Sequence, residues 1–184
     1  MTTMGAGGWL VLFLVLQRLA ELALATRNTR RLLAAGGVEF GQGHYHLLVA
    51  LHAFWLMALW LFGHDRAIDP LWFAAFVMLQ AARVWIIASL GPRWTTRIVV
   101  LPGVAPRTAG PYRLVRHPNY VVVALEIAVV PLALGLPLLA AVFSLANAAI
   151  LYVRISVENE ALNWAANSPA AAQAQSLANA GSRR

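Results

Sequence analysis

Five apolar runs of about 18–20 residues recur along this chain. Each is long enough to cross the ~30 Å hydrocarbon core of a bilayer as a helix. They are read at 8–26, 46–63, 70–90, 119–135 and 137–155. Only the "LGLP" turn at 134–137 separates the last two, so they form a tight helical hairpin. Composition agrees: 60% of the 184 residues are hydrophobic and 11% are charged. A mean hydropathy of +0.67 is far above that of a soluble domain. The expected fold is an all-α, polytopic integral membrane protein of about five transmembrane helices. One transmembrane domain fills 1–164, and the Ala/Gln/Asn/Ser-rich stretch 165–184 reads as a disordered tail. The first run lacks a basic lead and a small-residue cleavage site, so it reads as a retained helix.

Charge supplies an orientation. Every basic side chain other than histidine is arginine. Arg27, Arg30 and Arg31 follow the first run; Arg93, Arg97, Arg107, Arg113 and Arg116 follow the third; Arg183 and Arg184 end the chain. The opposite side offers Arg66, offset by Asp65 and Asp69. The positive-inside rule then puts the N-terminus outside and the C-terminus in the cytoplasm. The net charge of +7 suits anionic headgroups. The arginines hug helix ends and form no separate basic domain, which argues against a nucleic-acid partner. With no cysteine, disulfides, thiolate catalysis and Cys–zinc sites are excluded, and no metal is expected.

Polar side chains inside apolar spans are costly and therefore informative. Here they are Arg18, Glu21, His52, Gln80, Arg83 and Glu126. At ~1.5 Å per residue Arg18, His52, Arg83 and Glu126 fall roughly 9–14 Å below the cytoplasmic surface, with nothing comparable in the outer halves. Such a layer suits a site opening to the cytoplasm. It is equally suited to stapling helices, with Arg18–Glu21 as an i,i+3 pair and Arg83–Glu126 as a pair between spans.

The stretch "GPYRLVRHPNY" at 110–120 opens the fourth span. Pro118 falls at the first helical position and His117 at or near the cap. Free backbone N–H groups there, with Arg113 and Arg116, make an anion site. The fifth span returns to the same surface in "YVRISVENEAL", 152–162. Arg154 and Glu158 are i,i+4 and share a helix face, whereas Glu160 is rotated by about 200° from Glu158. A cation-rich helix start beside a carboxylate-bearing helix end suits a zwitterionic amino-acid group.

The pattern G-x-Y-x-x-x-R-H-P-x-Y, a hairpin, then R-x-x-x-E-x-x-x-L resembles the isoprenylcysteine carboxyl methyltransferase family and its phospholipid-methylating relatives. The resemblance covers about 104–162, and the front stretch 18–45 is similar to bacterial five-span members. It implies an integral membrane enzyme that binds S-adenosylmethionine at the cytoplasmic face and methylates a lipid entering from the bilayer. By motif, Val104, Ala105, Pro106, Arg107, Tyr112, His117, Pro118, Asn119, Tyr120 and Glu158 would hold the cofactor. Arg116, Arg154 and Glu158 would form the catalytic set, with Arg154 facing the acceptor and Arg83 and Glu126 beneath it. Many members carry two adjacent glutamates in the last motif, and here Asn159 takes the second place. Among bacterial relatives the resemblance points to a carboxyl or hydroxyl oxygen, as on long-chain polyketide lipids. A carboxylate acceptor needs no general base, whereas a phenol or enol does. The competing classes are a small proton-coupled transporter using Glu126, Arg83 and His52, and a structural membrane subunit. A transporter would show ionisable groups on both sides of the midplane and broken helices in related halves. Neither is visible.

Overall fold

The computed structural model describes residues 4–169. Five helices and a small ribbon follow in order: α1 (Ala6–Ala34), β1 (Val38–Phe40), α2 (Gln42–Gly63), α3 (Pro70–Leu90), β2 (Ile98–Val100), α4 (Pro118–Ala133) and α5 (Pro137–Ala166). Short 3-10 turns lie at Gly91–Arg93 and Gly110–Arg113. The protein is an all-α polytopic membrane protein. Four helices are long and apolar enough to cross a bilayer; α4, at 16 residues, is shorter.

Helix starts follow local chemistry. Asp69 caps α3, its carboxylate accepting from Leu71 N (2.9 Å) and Trp72 N (3.1 Å), with Pro70 at the first position. Pro118 and Pro137 occupy the same place in α4 and α5. At the end of α1, Gly36 adopts φ 87° and lets Gly37 N–H return to Leu32 O at 2.8 Å. Gly7 meets another constraint: a Cβ there would lie 2.0 Å from Gly63 O, so the α1 start can lie against the end of α2 only as glycine.

The bundle packs as a chain of neighbours: α1 on α2, α2 on α5, α5 on α4 and α4 on α3. Its apolar core fills one half, where Leu10, Val11 and Leu14 meet Trp55, Leu59, Phe76, Ile127 and Val130. Polar side chains take over at mid-depth. Glu126 on α4 accepts from Arg83 Nε (2.9 Å) and Gln80 Nε2 (2.9 Å) on α3, and also pairs with Arg18 on α1. Glu21 accepts from Arg18 (2.6 Å) and Arg83 (3.2 Å), and Gln17 joins Glu21 (2.9 Å) to Gln80 (2.6 Å). The two pairs expected from sequence therefore both form, and they fuse into one network of two guanidiniums and two carboxylates across three helices.

Two features go beyond the sequence reading. Residues 38–40 and 98–100 pair antiparallel, Val38 opposite Val100 and Phe40 opposite Ile98. The last helix runs past the end of the fifth apolar run at 155, through the helical stretch expected to 162, and on to Ala166. Residues 165 and 166 of the expected tail are thus helical; residues 170–184 lie outside the described residues.

The network generates a stability prediction. Glu126→Ala leaves two buried cations short of a partner and is expected to cost about 3–5 kcal/mol. Leu125→Ala, on the exposed side of the same helix, serves as the comparison. Thermal unfolding in one detergent reads both, and equal losses would mean that the charges do not hold α1, α3 and α4 together.

Candidate active site

The end of α1 with Arg27, Arg30 and Arg31 and the loop with Arg93, Arg97, Arg107, Arg113 and Arg116 lead to one end of the bundle. There α4 begins and α5 ends, and a cavity of about 1120 Å³ opens between them. That exceeds the ~300–1,000 Å³ usual for one drug-sized ligand. Its floor is the mid-depth layer, through Arg18, Glu21, His52 and Arg83. Its rim is the arginine-rich loop 101–117. This is a membrane-embedded helical bundle with a polar pocket sunk into one end.

Every residue expected to hold the cofactor lines this cavity: Val104, Ala105, Pro106 and Arg107 on the rim, Tyr112, His117, Pro118, Asn119 and Tyr120 at the α4 start, and Glu158 on α5. Arg116 and Arg154 line it too. Arg83 reaches the floor, but Glu126 is not among the lining residues. The Glu126 carboxylate is taken by Arg18, Arg83 and Gln80, so it anchors the wall behind the floor.

His117 is the N-cap residue of α4, yet its side chain makes no capping bond. The ring is free to turn toward α5. Its Nδ1 lies 3.4 Å from a Glu158 carboxylate oxygen and its Nε2 3.3 Å from Asn159 Oδ1. Tyr120, one turn on, stacks on the imidazole at 5.7 Å and donates its hydroxyl to Glu158. The Arg154 guanidinium sits over the other side of this cluster, 5.8 Å from the Tyr120 ring centre. Arg154 is buried, and one of its N–H groups donates to Thr96 O at 2.9 Å. Its Nε is buried with no partner. A buried, unpartnered guanidinium N–H beside a cavity is unusual, because leaving such a donor unmade is costly. Glu160, as the helical rotation requires, is exposed and makes none of these contacts.

Electrostatics follow from these contacts. The hydrogen bond to Glu158 raises the His117 pKa above its ordinary value, outweighing desolvation. Burial pushes the Tyr112 phenol up to about 12, with the Glu158 charge adding to it, so Tyr112 remains a donor at neutral pH.

Sequence reasoning missed the outer wall. Strand β2 packs Ile98 and Val100 against Ala161 and Ala165 of α5 and forms one side of the cavity. Arg97 pairs with Glu39 at 3.0 Å and lies 4.9 Å over the Tyr45 ring, while Tyr45 Oη meets Thr96 Oγ1 at 3.2 Å. The rim is tied down by Arg93 donating to Ala105 O (2.9 Å) and by Gly103 N–H donating to Ala165 O (3.2 Å). Asn163, one turn past Glu158 and Asn159, also lines the cavity. No spacing rule marks these residues, since their partners lie in distant parts of the chain.

Comparison with known proteins shows the family. Residues 72–164 match the isoprenylcysteine carboxyl methyltransferase (ICMT) family. Over 160 residues the chain is 38% identical to YpbQ, an uncharacterized protein of Bacillus subtilis, covering 84% of this chain and 95% of that one. An uncharacterized protein of Haemophilus influenzae is 24% identical over 108 residues, 56% of this chain and 63% of its own. No solved structure matches. The chain belongs to the isoprenylcysteine carboxyl methyltransferase family. That membership stands against the transport reading of Glu126, Arg83 and His52.

The His117–Glu158 contact predicts a pH dependence. A histidine whose folded pKa is raised contributes stability that is fully present below its unfolded value of about 6.5 and is lost as pH rises through the folded value. The melting-temperature gap between wild type and His117→Gln is therefore expected to be widest below pH 6.5 and to narrow as pH increases from there. A gap that widens with increasing pH would mean that His117 is held neutral.

Proposed function

We propose that this protein transfers a methyl group from S-adenosylmethionine to a carboxyl or hydroxyl oxygen of a lipidic acceptor, at the cytoplasmic face of the cell membrane. The observation that carries the reading is the meeting of His117, Tyr120 and Glu158 on one wall of a cavity whose floor lies among the transmembrane helices. The residues present fit the cofactor chemically. Glu158 keeps lone pairs open to the cavity after its two contacts and suits an ammonium group. The α4 start and Arg116 suit a carboxylate. Tyr112, Pro118, Asn119 and Tyr120 offer apolar and hydrogen-bonding surface, with Val104–Arg107 closing the rim.

When bound, S-adenosylmethionine supplies an electrophilic methyl group on a sulfonium. Placement of the acceptor oxygen is then the main demand on the protein. Arg154 is the group best suited to it. Its guanidinium lines the cavity, and a cation there orients an anionic or ionising oxygen. Arg83 lies deeper, at the floor, within reach of the acceptor's body, with Glu126 holding it in place. A cavity larger than one ligand needs, open at the loop end and lined deeper by Val15, Leu19, Ala53 and Leu56, suits a soluble cofactor and an apolar acceptor together.

Two expected outcomes test this. Glu158→Gln is expected to weaken S-adenosylmethionine binding by roughly ten- to a hundredfold, the loss of one charge-assisted hydrogen bond of about 1.5–3 kcal/mol. Glu160→Gln is expected to stay within about twofold of wild type, because its side chain faces away. Isothermal titration in one detergent compares them, and a larger loss at Glu160 would overturn the assignment.

Orientation is tested by labelling. Ala67, Ala35 and Ala109 are all exposed, and the chain has no native cysteine. In intact cells a cysteine at Ala67 is expected to react with an impermeant maleimide, and cysteines at Ala35 and Ala109 are expected to stay unlabelled. The reverse pattern would place the site outside.

A further inference from the structure

An open face runs along the outer surface of α1. Its lower part is Leu19, Leu22 and Ala23, followed by Thr26. Its upper part is Arg27, Arg30 and Arg31. These positions step by three and four residues, so they form one continuous stripe along the helix. All are exposed, while the alternate positions Glu21, Ala25, Asn28, Thr29 and Leu32 are buried against the bundle. The stripe is therefore a face that the protein itself leaves uncovered.

The stripe changes character along its length. The lower part is apolar and the upper part carries three positive charges. Leu19 to Arg30 spans about 16 Å of helix, close to half of the ~30 Å hydrocarbon core. The apolar part thus lies at acyl-chain depth and the guanidiniums at headgroup depth. Among the described residues, Arg27, Arg30 and Arg31 have no hydrogen bond or ion pair to the protein. The acids of that end are engaged elsewhere or point away: Glu21 in the buried network, Glu39 with Arg97, Glu158 with His117 and Tyr120, and Glu160 on the exposed face of α5. Three cations without a protein partner on one helix turn suit an external anion, and the apolar face beneath them suits a chain attached to it.

We infer that this face is a binding site for an anionic phospholipid, with its phosphate on Arg27, Arg30 and Arg31 and one acyl chain along Leu19, Leu22 and Ala23. Guanidinium forks suit phosphate oxygens. A zwitterionic headgroup brings its own ammonium and gains less from three cations. Leu19 and Leu22 also line the large cavity, so the bound lipid stands against the outside of that cavity's wall. The inference does not depend on methyl transfer.

The test uses the full chain purified in a neutral detergent. Native mass spectrometry counts lipids retained on adding phosphatidylglycerol or phosphatidylcholine of the same chain length. Wild type is expected to retain one phosphatidylglycerol in preference to phosphatidylcholine. The triple variant Arg27→Gln, Arg30→Gln, Arg31→Gln is expected to lose that preference by on the order of tenfold to a hundredfold. The corresponding triple lysine variant is expected to keep it, which separates charge from folding. Soluble glycerol phosphate is expected not to displace the lipid, since it lacks the chain that lies along the apolar face. Undiminished phosphatidylglycerol binding by the glutamine variant would overturn the proposal. So would equal retention of the two lipids, displacement by glycerol phosphate, or a dimer that forms through this face in place of lipid binding.

Discussion

The site depends on one buried carboxylate. Glu126 lies at mid-depth on α4 and is gripped by Arg83 and Gln80 from α3 and Arg18 from α1. Burying four charges inside a membrane protein is a poor way to gain stability, since desolvation offsets most of the Coulomb attraction. Its value lies in geometry. A closed set of two guanidiniums and two carboxylates has few alternative pairings, so it fixes the rotation of three helices about their axes. It also ends the apolar core. Below it, leucine, tryptophan and valine fill the bundle; above it, the helices diverge around a cavity whose floor is the network itself.

The unequal lengths of the last two helices shape the upper half. At 16 residues, α4 spans about 24 Å at ~1.5 Å per residue, while α5, at 30 residues, spans about 45 Å. The hairpin turn holds them level at one end, so α5 overhangs the start of α4 at the other. That overhang is what brings Glu158 and Asn159 above His117. Pro118 contributes by starting the helix without needing a cap. A serine or aspartate in the place of His117 would be drawn back onto the α4 backbone; the imidazole is not, and it crosses to α5 instead.

The helices were legible because hydropathy acts over twenty residues at a time. Runs 46–63 and 70–90 end where α2 and α3 end, at Gly63 and Leu90. The polar layer was legible because arginine and glutamate have few reasons to lie within such runs. What stayed hidden follows from the same logic. Strands of three residues, 38–40 and 98–100, are too short to show a period of two, and their pairing partners are about sixty residues apart. The helical overhang of α5 was legible through 162 from the spacing of Arg154, Glu158 and Leu162, and the structure carries it on to Ala166. The contact of Arg154 with Thr96 O, and the orphaned Nε beside it, depend on backbone placed by that unseen ribbon. The face pairing of Arg154 with Glu158 needed only the i,i+4 rule.

Asn159 stands where the resemblance in sequence implied a second glutamate, and its geometry suits an amide. His117 presents one nitrogen to Glu158 and the other to Asn159 Oδ1. A protonated imidazole donates from both nitrogens, so each contact is satisfied with a single negative charge in the pair. A carboxylate at 159 would set two acids against one imidazolium, and the surplus charge would sit beside Glu158 with Tyr120 already donating to it. The amide keeps the hydrogen bond and removes the surplus. With the imidazole protonated, the His117–Glu158 pair is locally neutral, and the cationic character of the cavity rests on Arg116 at its rim, Arg154 in its wall and the rim arginines 107 and 113. An acceptor that arrives neutral and must lose a proton, or one already anionic, meets in either case a site whose uncompensated charge is positive.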